Sequence, residues 1–136
     1  MKTGYVPGAY DLFHVGHLRI LRLSRERCDR LVVGVVGDDL AAAMRNEPPA
    51  VPYAERVRMV AALPFVDEVV EDVSNDKRLA WQRVHFDVLF KGTDWRGTPK
   101  GDRLEAQMAE VGAAVEYLPY TPEVSSTRLR ADVRSG

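Results

Sequence analysis

The chain is poor in cysteine, in long apolar runs and in charge of one sign. Cys28 is the only cysteine in 136 residues, which excludes an intrachain disulfide and any zinc site built from several cysteines. With Arg27 and Asp29 beside it at the end of a predicted helix, it reads as a partly buried structural thiol. No apolar run approaches the roughly 20 residues a helix needs to cross a bilayer. Gly4, Pro7, Gly8 and Asp11 break up the opening stretch, so no secretory leader is expected and the cytoplasm is the expected location. Lys and Arg number 19 against 20 Asp and Glu, for a formal charge of -1, and the two signs are interspersed. Such a chain has no global field to grip a nucleic-acid backbone or an anionic membrane, so neither is an expected partner. Internal repeats, low-complexity tracts and linkers are absent too, and the length suits one domain over residues 1–136.

What remains is an alternation of short β-like runs and amphipathic helical windows. Strands are predicted at Tyr5–Tyr10, Leu31–Val36, Val66–Val70, Val88–Phe90 and Ala113–Leu118; the second is continuously apolar and β-branched, as for a strand covered on both faces. Helices are predicted at Val15–Arg27, Tyr53–Leu63, Asp76–His85 and Ser125–Val133. A further helix begins at Asp102, with Glu105 in the reciprocal capping position and Gly112 as terminator. Asp38–Pro52, with tandem prolines, reads as mostly loop. This order implies a Rossmann-like, doubly wound α/β fold of three layers around a five-stranded parallel sheet. Ligands of such folds bind beyond the carboxyl ends of the strands, where the strand order reverses.

The chemistry-bearing residues fall in those places. Gly8-Ala9-Tyr10-Asp11-Leu12-Phe13-His14-Val15-Gly16-His17 carries the end of the first strand into a helix. His14 and His17 are one helical turn apart and share a face, and Gly16 lets a ligand approach the backbone. A helix N-terminus attracts phosphate, and two imidazoles there can donate to a polyphosphate. The same pair is also compatible with ordinary polar residues at a helix start or with a metal pair, although no carboxylate or cysteine partners stand at ligand spacing. Asp11 suits either a turn, accepting backbone N–H groups, or the orientation of metal-bound phosphates. After the fourth strand, Lys91 can reach phosphate, Asp94 can accept from ribose hydroxyls or a base amino group, and Trp95 offers a flat surface. Ser125, Ser126 and Thr127 cap the last predicted helix and can hold phosphate oxygens. Arg45 and Arg56 are candidates for phosphate binding.

Gly8-Ala9-Tyr10-Asp11 with His14-Val15-Gly16-His17 resembles the G-x-F-D…H-x-G-H stretch of the cytidylyltransferase branch of the HIGH-type nucleotidyltransferase superfamily. The likeness continues through Asp38-Asp39, Arg56 and Lys91-Gly92-Thr93-Asp94-Trp95 to Val124-Ser125-Ser126-Thr127, which is similar to the family's I-S-T-T. Within the branch, the glycerol-3-phosphate enzymes are nearest in pattern. The resemblance implies in-line attack by an acceptor phosphate on the α-phosphorus of CTP, with pyrophosphate leaving with Mg²⁺ and no covalent enzyme intermediate. It implies that His14 and His17 are catalytic, and that Gly8, Ala9, Tyr10, Gly16, Lys91, Asp94, Trp95, Tyr120, Ser125, Ser126 and Thr127 surround the nucleotide. Asp11, Asp38, Arg45 and Arg56 are then assigned to the acceptor, and a homodimer is expected.

The chain departs from the pattern at two places. Tyr120 stands where the family has a nucleotide-binding arginine, and Glu123 where it has glycine. Met44, Arg45 and Asn46 occupy a loop in which glycerol-3-phosphate enzymes carry lysines. Both departures bear on ligand identity more than on reaction type. Two alternatives therefore stand beside the first reading: an adenylyltransferase using ATP on a sugar phosphate or FMN, and a nucleotide-binding module without catalysis.

Overall fold

The structure is a computed structural model in which residues 1–119 are described. Tyr120, Ser125, Ser126, Thr127 and the last predicted helix lie outside the described residues. Five strands, β1 (Thr3–Gly8), β2 (Arg30–Val36), β3 (Glu68–Asp72), β4 (Val88–Gly92) and β5 (Ala114–Leu118), form one sheet. Their order is β3-β2-β1-β4-β5 and every pairing is parallel. The expected doubly wound α/β sheet is thus present. β1 lies at its centre, with β2 on one side and β4 on the other, so the order reverses between β1 and β4.

Side chains alternate between the two faces. Val6, Leu31, Val33, Val35, Val88 and Phe90 join Leu21 of α1 (Val15–Arg25) and Val60 of α3 (Tyr53–Ala61) in one apolar cluster. Tyr5, Val32 and Leu89 join Phe86, with Leu104 and Met108 of α5 (Pro99–Val111), in the other. The third strand lies two residues later than its apolar run suggested.

Two helices correct the sequence reading. Residues 38–52 were expected to be mostly loop, yet Asp38–Arg45 forms α2. Its first turn holds Asp38 and Asp39, which suit the positive end of the helix dipole. Asn46 closes it in the left-handed conformation (φ 60°), so the tandem prolines fall beyond the helix and never break it. Likewise α5 starts at Pro99, not Asp102. Thr98 is its cap, accepting from the Gly101 amide at 3.1 Å, and proline occupies the first turn, where it has no hydrogen bond to lose. Gly101, which looks like a breaker, is required there because a Cβ would lie 2.0 Å from the Trp95 carbonyl oxygen. The fourth helix in the chain, α4 (Lys77–Val84), has Asp76 as N-cap and left-handed His85 as C-cap.

Gly34 in the middle of β2 is equally constrained. A Cβ there would sit 2.0 Å from the Tyr5 hydroxyl, which donates to buried Asp72 at 2.7 Å. Gly34→Ala must displace Tyr5 and break this bond, and we expect it to cost about 3 kcal/mol. Urea denaturation measures this; a loss well under 1 kcal/mol would contradict the packing described.

Candidate active site

The turn between β1 and α1 places both histidines. His14 is the N-cap of α1, with extended backbone, and its Nδ1 accepts the Gly16 amide at 3.0 Å. His17, three residues on, accepts the His14 amide through its own Nδ1 at 3.2 Å. The pair is a capping box in which imidazoles replace the usual hydroxyl and carboxylate. An Nδ1 that accepts a hydrogen bond carries no proton, so each neutral ring bears its proton on Nε2. The ring centroids are 4.0 Å apart and the planes are inclined at 29°. Burial lowers the basicity of both rings. For His17, burial first and neighbouring His14 second bring the pKa down to about 3; His14 is lowered in the same direction by burial. Both rings are therefore neutral donors near pH 7.

The turn itself is held in an unusual conformation. Tyr10 and Leu12 have φ of 53° and 52°, a region costing roughly 1–3 kcal/mol for such residues. The buried Tyr10 ring packs 5.4 Å from that of His17, and its hydroxyl donates to the Val6 carbonyl at 3.1 Å. Tyr10, expected to surround the nucleotide, thus packs against His17 and also lines the cavity beside it.

Asp11 and Arg56 hold the turn from behind. Asp11 is 1% exposed, and its two carboxylate oxygens accept the Ala50 and Val51 amides at 2.9 Å each. Arg56 is 0% exposed and donates to the carbonyls of Ala9 and Val36 at 2.6 Å and of Val51 at 2.9 Å. It also pairs with Asp38 at 2.7 Å, whose other oxygen accepts the Tyr53 amide at 3.3 Å. Asp11, Asp38 and Arg56, expected to bind the acceptor, tie the ends of β1 and β2 to the loop before α3, and they line neither of the cavities at the carboxyl ends of β1 and β4. A lone helix arginine gives no hint in sequence that it is buried; carbonyl oxygens from three segments converge on it.

Two adjoining cavities open beyond the carboxyl ends of β1 and β4. One, of about 260 Å³, is lined by His14, Gly16, His17, Gly92 and Asp94. The other, of about 940 Å³, lies towards α4 and α5. Gly8, Ala9, Arg45, Lys91 and Trp95 line both. The Lys91 ammonium sits 4.1 Å from the Trp95 ring centroid, and burial, with Lys77 next, lowers its pKa to about 8. Of the expected site residues within the description, the fold therefore gathers all except Asp11, Asp38 and Arg56 around these cavities. The residues that sequence reading missed are those reaching the larger cavity from α4 and α5. Among the described residues no cluster of three His, Cys, Asp or Glu side chains can hold a metal, and no helix is long and apolar enough to cross a membrane.

A parallel sheet in this strand order, with a histidine-capped helix at its switch point, defines a doubly wound α/β domain. The sequence model of the cytidylyltransferase-like family matches residues 5–132, and the chain belongs to that family. It is 36% identical over 129 residues to an ethanolamine-phosphate cytidylyltransferase of Arabidopsis thaliana, covering 90% of this chain and 30% of that protein. It is also 36% identical over 129 residues to a bifunctional protein HldE of Halorhodospira halophila, covering 94% and 27%. The chain thus spans under a third of the length of these relatives. A lipopolysaccharide core biosynthesis protein from Thermoplasma volcanium has the same fold, with a TM-score of 0.73 at 22% identity, covering 89% of this chain and 97% of that one.

Two measurements test the local geometry. Arg56→Met leaves three carbonyls and Asp38 without their donor, and is expected to cost about 3–5 kcal/mol in urea unfolding; a cost under 1 kcal/mol would return Arg56 to the ligand-binding set. The His17 pKa of about 3 lies below the roughly 6.5 of an unstructured imidazole. Between those values the unfolded chain binds a proton that the folded chain refuses. Its contribution to stability is whole above about pH 6.5 and is lost as pH falls towards 3. The unfolding midpoint should drop more steeply with acid in the wild type than in His17→Asn; equal slopes would contradict the buried neutral ring.

Proposed function

We propose that this domain transfers a nucleotidyl group from a nucleoside triphosphate to a small phosphorylated acceptor. An acceptor phosphate oxygen forms the new bond to the α-phosphorus, and the bond from that phosphorus to the α,β-bridging oxygen breaks. The bonding electron pair leaves with pyrophosphate. His14 and His17 would stabilise the growing negative charge as Nε2–H donors, with neither ring changing protonation, so catalysis is positioning and charge stabilisation. The capping arrangement carries this reading: both Nδ1 atoms accept backbone amides, which puts the proton of each ring on Nε2 beside a cavity of about 260 Å³.

Within this reading, CTP is the proposed donor and a phosphorylated alcohol the proposed acceptor. The family's description and the name of the Arabidopsis relative support both, while neither singles out glycerol 3-phosphate. Magnesium would be held chiefly by the triphosphate oxygens, as this ion binds with few protein ligands, and would neutralise charge on the leaving group. A homodimer belongs to the same proposal. The second reading is ATP as donor to a sugar phosphate, favoured by the Lys91-Gly92 pair and by Tyr120 in place of the family arginine.

Pyrophosphate release with CTP or ATP, Mg²⁺ and a panel of phosphorylated alcohols and sugars separates the readings. Binding of CTP without pyrophosphate release from any pairing would support a non-catalytic module instead. In His17→Asn the amide oxygen replaces Nδ1 as helix cap, but nothing replaces Nε2–H. Turnover should fall at least about a hundredfold, with the melting temperature nearly unchanged. A mild loss of turnover would remove His17 from the reaction.

A further inference from the structure

The larger cavity has a chemistry of its own, and the inference drawn from it rests on the transferase reading above. Five cationic side chains line it: Arg45 at the end of α2, Lys77 at the start of α4, Lys91 near the end of β4, and Lys100 and Arg103 on α5. Asp76 is the only carboxylate among the described lining residues, and both its oxygens already accept from Arg78, at 2.7 to 3.1 Å. Lys77 is nine-tenths buried. Two of its three N–H donors go to Asp72 and to the Ser74 carbonyl, each at 2.7 Å. The third has no protein acceptor among the described residues, so this buried cation keeps one donor for a ligand.

An ammonium group on an acceptor is held best by a carboxylate or an open aromatic face. Trp95 is the aromatic ring lining the cavity, and two ammonium groups already face it, Lys91 at 4.1 Å and Lys100 at 5.8 Å. The remaining polar lining is neutral, from Ser74, Asn75 and Gln107, groups that pair with hydroxyls. The cavity measures about 940 Å³, many times the volume of a two-carbon phosphoalcohol.

We infer that this cavity is the acceptor site, and that it selects phosphorylated polyols or sugars over phosphorylated amino alcohols, with Lys77, Lys100 and Arg103 setting the choice. Like charges brought together repel, so the positive lining disfavours an acceptor ammonium. Hydroxyls and phosphate oxygens instead find donors on Lys77, Arg103 and Asn75.

Titration calorimetry with ethanolamine phosphate, glycerol 3-phosphate and glucose 1-phosphate tests this on the full chain. At least one of the two uncharged-bodied phosphates should bind at least about tenfold more tightly than ethanolamine phosphate. Lys100→Glu/Arg103→Glu changes only exposed α5 positions and avoids the buried Lys77–Asp72 pair; it should shrink that preference at least about tenfold. CTP affinity, measured in parallel, reports on folding. The inference is overturned if ethanolamine phosphate binds as tightly as the others, if the double variant leaves the preference unchanged, or if no acceptor binds. Selective binding with no pyrophosphate release from CTP or ATP would instead sink the transferase reading and leave the selectivity of the cavity standing.

Discussion

Each of two imidazole rings gives its Nδ1 to the backbone at the start of one helix, and the chemistry proposed for this domain depends on that arrangement. Helix starts expose N–H groups that need acceptors. Most helices meet this need with a hydroxyl or carboxylate, whose role then ends. Histidine differs because it has a second nitrogen: accepting at Nδ1 leaves a proton at Nε2. Capping and donor presentation are one act here, and the glycine between the rings leaves the backbone open to a ligand. Burial supports the same state by keeping the His17 pKa down at about 3, so the ring is a neutral donor over the physiological range.

The strained turn could not hold those rings alone. Left-handed Tyr10 and Leu12 persist because Asp11 and Arg56 bind the turn to the loop before α3 through backbone amides and carbonyls. Arg56 reaches β2 as well, through the Val36 carbonyl, which ties together the ends of two neighbouring strands. A buried guanidinium with one flanking carboxylate is weak support for stability in itself. Its value lies in geometry, because carbonyls from three segments converge on one planar group.

Much of this architecture can be read from the residues. The β-branched run at residues 31–36 and the turn signals around it identify a covered strand, and the alternation of strands with helices identifies the parallel sheet. Spacing alone puts His14 and His17 on one face. What spacing cannot tell is which nitrogen of each ring is occupied, because that depends on the extended backbone of His14. Asp11 and Arg56 were recognisable as site-associated positions, yet their burial comes from partners distant in the chain. The second helix was hidden by Pro48 and Pro49, although Asn46 supplies a natural end before them. The cations of the larger cavity come from α2, α4, α5 and the end of β4, and no local pattern joins them. Tertiary packing alone brings them together.

The two cavities divide the proposed reaction along the carboxyl edge of β1 and β4. The histidine side suits a polyphosphate, and the cationic α4–α5 side suits its partner, with Gly8, Ala9 and Lys91 along the seam. Nitrogen-15 chemical shifts of the imidazoles test the central claim most directly. Near neutral pH, His14 and His17 should each show an unprotonated Nδ1 and a protonated Nε2, with the Nε2 signals moving when a nucleoside triphosphate is added. A proton on Nδ1 of either ring, or a charged imidazolium at that pH, would contradict the account.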